Sequence, residues 1–78
     1  MDITIKTKFD ISDIIYTPEI FDGEYYIDGP HKIKSIQLEI VNEGVLVKYC
    51  CENMYANIIE SHCFASYDEC EEWCLIHS

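Results

Sequence analysis

The segment Ile33 to Cys51, IKSIQLEIVNEGVLVKYCC, constrains this chain more than any other. Two apolar runs rich in β-branched and aromatic residues flank Asn42-Glu43-Gly44, a pattern that predicts a long β-hairpin. Ile36, Leu38 and Ile40 alternate onto one face of the first strand, and Val47, Tyr49 and Cys51 onto one face of the second. Two signals compete for the register. Laying the apolar rows over each other sets Leu38 opposite Tyr49 and Glu39 opposite Lys48, the latter an attractive pair worth about 0.2–1 kcal/mol. A three-residue Asn42-Glu43-Gly44 loop with a left-handed Gly44 instead shifts the pairing by one residue. Because such a slip sends a whole apolar row to the wrong face, the face-matching register is expected, with a bulge absorbing the difference.

Shorter elements are expected around the hairpin. Ile3, Ile5 and Phe9 keep odd spacing, as in a short strand or extended arm. Ser12-Asp13 predicts a tight turn leading into a strand from about Ile14 to Thr17, whose pairing Pro18 should end. Glu19 to Gly23 reads as loop with an Asp22-Gly23 turn, Glu24 to Ile27 as a short extended piece, and Asp28-Gly29-Pro30 as a second turn. Tyr55 to Ile59 and Cys63-Phe64 are the fourth and fifth strand candidates. Ser66-Tyr67-Asp68-Glu69 is a capping box, so a helix should start there, with acids at Asp68, Glu69, Glu71 and Glu72 suiting the positive end of its dipole. Tyr67, Cys70, Trp73, Cys74 and His77 share one face of that helix, the stripe expected to lie on the sheet. The 78 residues are one domain, 1–78, and a chain of this size buries only roughly 60% of its unfolded surface.

The charge balance excludes more than it assigns. Fifteen acids stand against five lysines and no arginine, a formal net charge of −10. Beyond Lys48 there are Glu52, Glu60, Asp68, Glu69, Glu71 and Glu72 and no lysine at all. Phosphate-directed nucleic-acid binding needs a basic patch, and here only Lys32 and Lys34 cluster. No run approaches the roughly 20 apolar residues of a spanning helix, and the start lacks the basic and apolar regions of a secretory signal, so the expected location is the cytosol. Five cysteines form an odd set without an export signal and are read as reduced, buried thiols.

Chemistry-bearing constellations are few. Cys70, Cys74 and His77 on one helical face, with His62-Cys63 and Cys50-Cys51 from the sheet, are donors that zinc accepts, but the spacing matches no finger or ribbon, so neither a metal nor a cofactor is expected. Cys63 beside His62 suggests a thiolate, yet neighbours in a strand point to opposite faces. Glu71/Glu72 and Asp68/Glu69 read as a solvated helix face, and Gly23, Gly29 and Gly44 as isolated turn glycines. No catalytic residue is expected. Aromatic residues among acids remain: Phe21, Tyr25 and Tyr26 flanked by Glu19, Asp22, Glu24 and Asp28. With Glu71 and Glu72 of the helix they form the expected partner-binding surface, suited to a basic protein.

Lys8-Phe9-Asp10-Ile11-Ser12-Asp13-Ile14-Ile15-Tyr16 resembles the opening lysine-phenylalanine-x-x-glycine-aspartate-x-valine-tyrosine of small SH3-like barrel proteins of phages and mobile elements in Gram-positive bacteria, with Ser12 where glycine is usual. Lys32 to Ile36, Val47 to Cys51, and Cys63 to Ser66 with Glu69 are similar to their later strands and helix start. The resemblance implies a mainly β fold, a five-stranded SH3-like barrel with one C-terminal helix, and, since such proteins include phage products that block bacterial defences, a binding role. The expected function is a non-enzymatic acidic protein-binding module, an accessory protein that occupies a basic surface of a host protein, without direct nucleic-acid or membrane binding. The alternative is a zinc-stabilised or nucleic-acid-associated regulatory barrel using Lys32 and Lys34. Edge strands in so small a barrel also offer a route to a homodimer.

Overall fold

The computed structural model describes residues 5–77. Strands β1 (Ile14–Phe21), β2 (Glu24–Val41), β3 (Gly44–Cys51) and β4 (Ile58–Ile59) are followed by a 3-10 turn at Glu60–His62 and helix α1 (Tyr67–His77). The strands form one antiparallel sheet in the order β1-β2-β3-β4. The 18-residue β2 serves two hairpins, pairing with β1 through its first half and with β3 through its second. The sheet curls back on itself. Beyond β4 the chain reaches Phe64, whose amide donates to the Tyr16 carbonyl at 2.9 Å and whose carbonyl accepts from the Tyr16 amide at 2.8 Å. The result is a four-stranded half-barrel with an isolated Tyr16–Phe64 bridge where the sequence predicts a fifth strand.

The first hairpin is longer than expected, for two reasons. Pro18 does not end the pairing but lies opposite Ile27, because β1 is an edge strand and can spare one amide. The Glu19–Gly23 loop therefore shrinks to Asp22-Gly23, both left-handed at φ 53° and 79°, the conformation of the two-residue turn that matches strand twist. Asp28-Gly29-Pro30 is not a turn either. Thr17 pairs with Asp28 and Ile15 with His31, so β2 holds one extra residue, and Gly29-Pro30 with its cis peptide bond sits in a bulge inside a continuous strand. A Cβ on Gly29 would meet Tyr16 Cδ1 at 2.9 Å and the Ile15 carbonyl oxygen at 3.1 Å, at φ +139°. Only glycine lets the strands approach this closely.

In the second hairpin the apolar rows share a face as expected, but the register differs by two residues. Leu38 lies opposite Val47 and Ile36 opposite Tyr49, and the turn is only Asn42-Glu43, with Gly44 already paired to Val41. A shift of two preserves the faces, so the apolar pattern satisfies both registers and the shorter turn decides. Glu39 and Lys48 become diagonal neighbours and still form an ion pair, Nζ to Oε2 3.2 Å. The bulge lies at the far end, between Ile33 and Ser35. The Tyr55–Ile59 strand reduces to Ile58–Ile59. Ile5 to Phe9 are irregular, and Ile3 lies outside the described residues.

Phe9, Ile15, Ile33, Val47, Tyr49, Cys51 and Cys63 fill the core. Tyr49 is fully buried, and its hydroxyl accepts the Phe9 amide at 3.0 Å while donating to Glu60 Oε2 at 2.5 Å. The same carboxylate oxygen accepts the Lys8 amide at 2.9 Å. Thr17 Oγ1 is buried with no hydrogen-bond partner among the described residues, which costs about 1–3 kcal/mol. Helix α1 starts as its cap predicts, with the Glu69 amide donating to Ser66 Oγ at 3.2 Å, although only this bond of the capping box forms. Its buried Cys70 and Cys74 settle it on the sheet, while Tyr67 meets Tyr16 and Trp73 meets Tyr25, both edge-to-face.

The Asp10–Asp13 turn carries Ser12 at φ 79°, in the place where the resembling barrels have glycine. Ser12→Gly should therefore raise the free energy of unfolding by about 0.5–1 kcal/mol in a urea titration, and Gly29→Ala should lower it by at least about 1 kcal/mol. Loss of stability from the first change, or none from the second, would contradict these backbone assignments.

Candidate functional site

The first hairpin and α1 enclose an open cleft of about 720 Å³. The hairpin contributes Gly23, Glu24, Tyr25, Tyr26 and Ile27, and the helix Tyr67, Glu71, Cys74 and Leu75. Tyr25 is fixed edge-on against Trp73, centroids 5.5 Å apart, and Trp73 is held in turn by Phe64 and by His62, 5.6 Å away. His77 stacks on the indole at 4.0 Å, and its Nδ1 donates to the Trp73 carbonyl at 2.8 Å. One wall is therefore rigid. Three tyrosines and two carboxylates line the cleft with no lysine among them, a surface that favours a cation with an alkyl stem.

Of the residues expected to bind a partner, the cleft gathers Glu24, Tyr25, Tyr26 and Glu71. Phe21, 74% exposed, stands at the hairpin tip and ends β1 instead of lying in the expected loop, while Asp22 beside it lies in the turn as expected. Glu19 pairs across the hairpin with Tyr26. Asp28 is engaged elsewhere, bonding His31 Nε2 at 2.9 Å, and Glu72 is exposed outside the cleft lining. Tyr67, Cys74 and Leu75 were not anticipated in this role. Tyr67, Glu71 and Cys74 follow helical spacing, but that stripe reads equally as the sheet-facing side, and only the position of the hairpin tip shows that its edge stays open.

Cys51, Cys63 and Cys70 sit in environments that keep their thiols protonated. All five are free, and Cys51, Cys63 and Cys70 have no exposed surface. Burial pushes the Cys63 thiol up to about 12, helped by Cys51 and Glu60, and the Cys70 thiol up to about 11, helped by Cys74. Burial also raises Cys51. Cys63 Sγ donates to the Ile59 carbonyl at 3.5 Å while His62 is exposed against Trp73, so no thiol–imidazole pair forms. Cys70 and Cys74 face the sheet and His77 lies on Trp73. Among the described residues no three His, Cys, Asp or Glu side chains converge as metal ligands.

Comparison with protein families, characterised proteins and solved structures gave no match. Among the described residues no helix is long and apolar enough to cross a membrane.

Because thiolates are the reacting species, thiol accessibility reads this arrangement directly. With a chromogenic disulfide at neutral pH, half-buried Cys50 should react first and Cys74 at the cleft wall more slowly, with Cys51, Cys63 and Cys70 reacting only on unfolding. Rapid labelling of Cys63 in the folded protein would contradict the burial described.

Proposed function

We propose that the protein is a non-enzymatic binding module that engages a basic surface of another protein through the cleft between the β1–β2 hairpin and α1. The observation that carries this reading is the lining itself: Tyr25, Tyr26 and Tyr67 between Glu24 and Glu71. Tyrosines supply contact area at small entropic cost, and the carboxylates neutralise lysine or arginine heads whose stems lie on the rings. The net charge of −10 draws cationic partners and accelerates encounter. The buried thiols of Cys63 and Cys70, held in the protonated form, support stoichiometric binding over nucleophilic catalysis.

The finer fold reading belongs with this proposal. The Tyr16–Phe64 bridge, counted as a one-residue fifth strand, makes the half-barrel comparable to the SH3-like arrangement that the opening motif resembles. On that resemblance we place the chain among accessory proteins of phages or mobile elements, acting in the host cytosol on a nucleic-acid-binding or defence-type protein whose basic surface it covers.

Affinity capture from a bacterial lysate tests the reading. At low salt the wild type should retain basic proteins that are released as salt rises, and the double variant Glu24→Lys/Glu71→Lys should retain about tenfold less of them. Equal retention by both forms would remove the cleft from the account. Tight binding of a mixed-sequence oligonucleotide would favour the nucleic-acid-associated alternative.

A further inference from the structure

The outer edge of β3 lies away from the cleft. Strand β4 pairs only with Lys48 and Tyr49, so Gly44 to Val47 have no strand neighbour on their outer side among the described residues. Edge strands of stable monomers are usually protected by lysine, proline, a bulge or a covering segment. Gly44-Val45-Leu46-Val47 has neither charge nor proline, and its pairing with β2 is regular throughout. The adjoining face of the hairpin is apolar and uncovered: Ile40 is 87% exposed, Leu38 45% and Val45 41%.

Charge indicates what can occupy this edge. Residues 32–51 carry Lys32, Lys34 and Lys48 against Glu39 and Glu43, a balance of +1, so the rest of the chain carries −11 of the total −10. A basic partner is drawn to that acidic remainder and not to the hairpin. The acidic remainders of two copies repel each other, whereas the hairpins, whose charges nearly balance, do not, and there unpaired strand edges can meet. The molecule is also elongated, 46 Å against 26 and 22 Å, which leaves room for two acidic bodies to stay apart while their hairpins join.

We propose that the chain forms a two-fold homodimer through antiparallel pairing of the β3 edges. The register that keeps the apolar rows on one side sets Val45 opposite Val47 of the second copy and Leu46 opposite its own counterpart. The pairing is isologous, so it closes at two copies and extends the sheet across the seam. No cleft residue comes from β3, so the dimer presents two clefts, and the proposal stands or falls independently of what they bind.

Light scattering on the eluted protein tests it. The expected mass is twice the 9.1 kDa of the chain, falling toward 9.1 kDa on dilution. Val45→Lys, which places a charge on the seam, should give the monomer mass with an unchanged circular dichroism spectrum. Hydrogen exchange of wild-type Val45 and Val47 amides provides a measurement that requires no substitution: they should be protected in concentrated solution and at least tenfold faster to exchange after dilution to monomer. A wild type that stays at 9.1 kDa to several hundred micromolar, a Val45→Lys protein that remains dimeric, or open-ended aggregates would each overturn the proposal.

Discussion

The fold depends on one buried phenol. Tyr49 lies at the centre of the core with no exposed surface, and its oxygen joins three parts of the chain that are distant in sequence: β3, the Lys8-Phe9 arm, and Glu60 after β4. An unsatisfied hydroxyl at this depth would cost about 1–3 kcal/mol, and here it both accepts and donates. The Thr17 hydroxyl, buried without a partner among the described residues, shows the cost that Tyr49 avoids. A domain this small has little apolar area with which to hold a curled sheet closed. The Tyr49 network and the Tyr16–Phe64 bridge close it with directional bonds at two points along the same path.

Local signals were legible in the sequence wherever chemistry and spacing agree. Asp22-Gly23 turns the first hairpin, Ser66 caps the helix, and the alternation of Ile36, Leu38 and Ile40 with Val47 and Tyr49 places both rows on one face. The register was not legible, because a period of two is indifferent to a two-residue shift, and choosing between registers takes the turn's own geometry. Pro18 and Gly29-Pro30 read as breaks, yet an edge strand tolerates the first and a bulge absorbs the second, so β2 runs through uninterrupted. The bonds of Tyr49 to Phe9 and Glu60 carry no local signature at all. They exist because the curl brings the arm and the 3-10 turn to one place.

The candidate site was legible by composition more than by geometry. Acids interleaved with Tyr25 and Tyr26 pointed to the hairpin side of the cleft, and the structure places Glu71 of α1 across from them. Tyr67 and Cys74 belong to a helical stripe whose inner half is buried and whose outer edge borders the cleft, a division that spacing does not resolve. Charge is segregated in the same way: an acidic body carries the cleft, and a nearly neutral hairpin carries an open strand edge. Two surfaces with opposite requirements can thus operate on one small domain without competing.

The central claim, that the buried Tyr49 hydroxyl holds the closed sheet together, is tested most directly by following that phenol as pH rises. Burial first, and the hydrogen bond to Glu60 second, push Tyr49 from the ordinary 10 up to about 12. The folded chain therefore keeps a proton that the unfolded chain loses, and the stability this contributes is complete below pH 10 and disappears as the pH approaches 12. In ring-labelled protein, with the Tyr49 resonance assigned by its loss in Tyr49→Phe, that ring should stay protonated until about pH 12 and ionise together with the loss of sheet signals. Ionisation near pH 10 with the sheet intact would contradict the account.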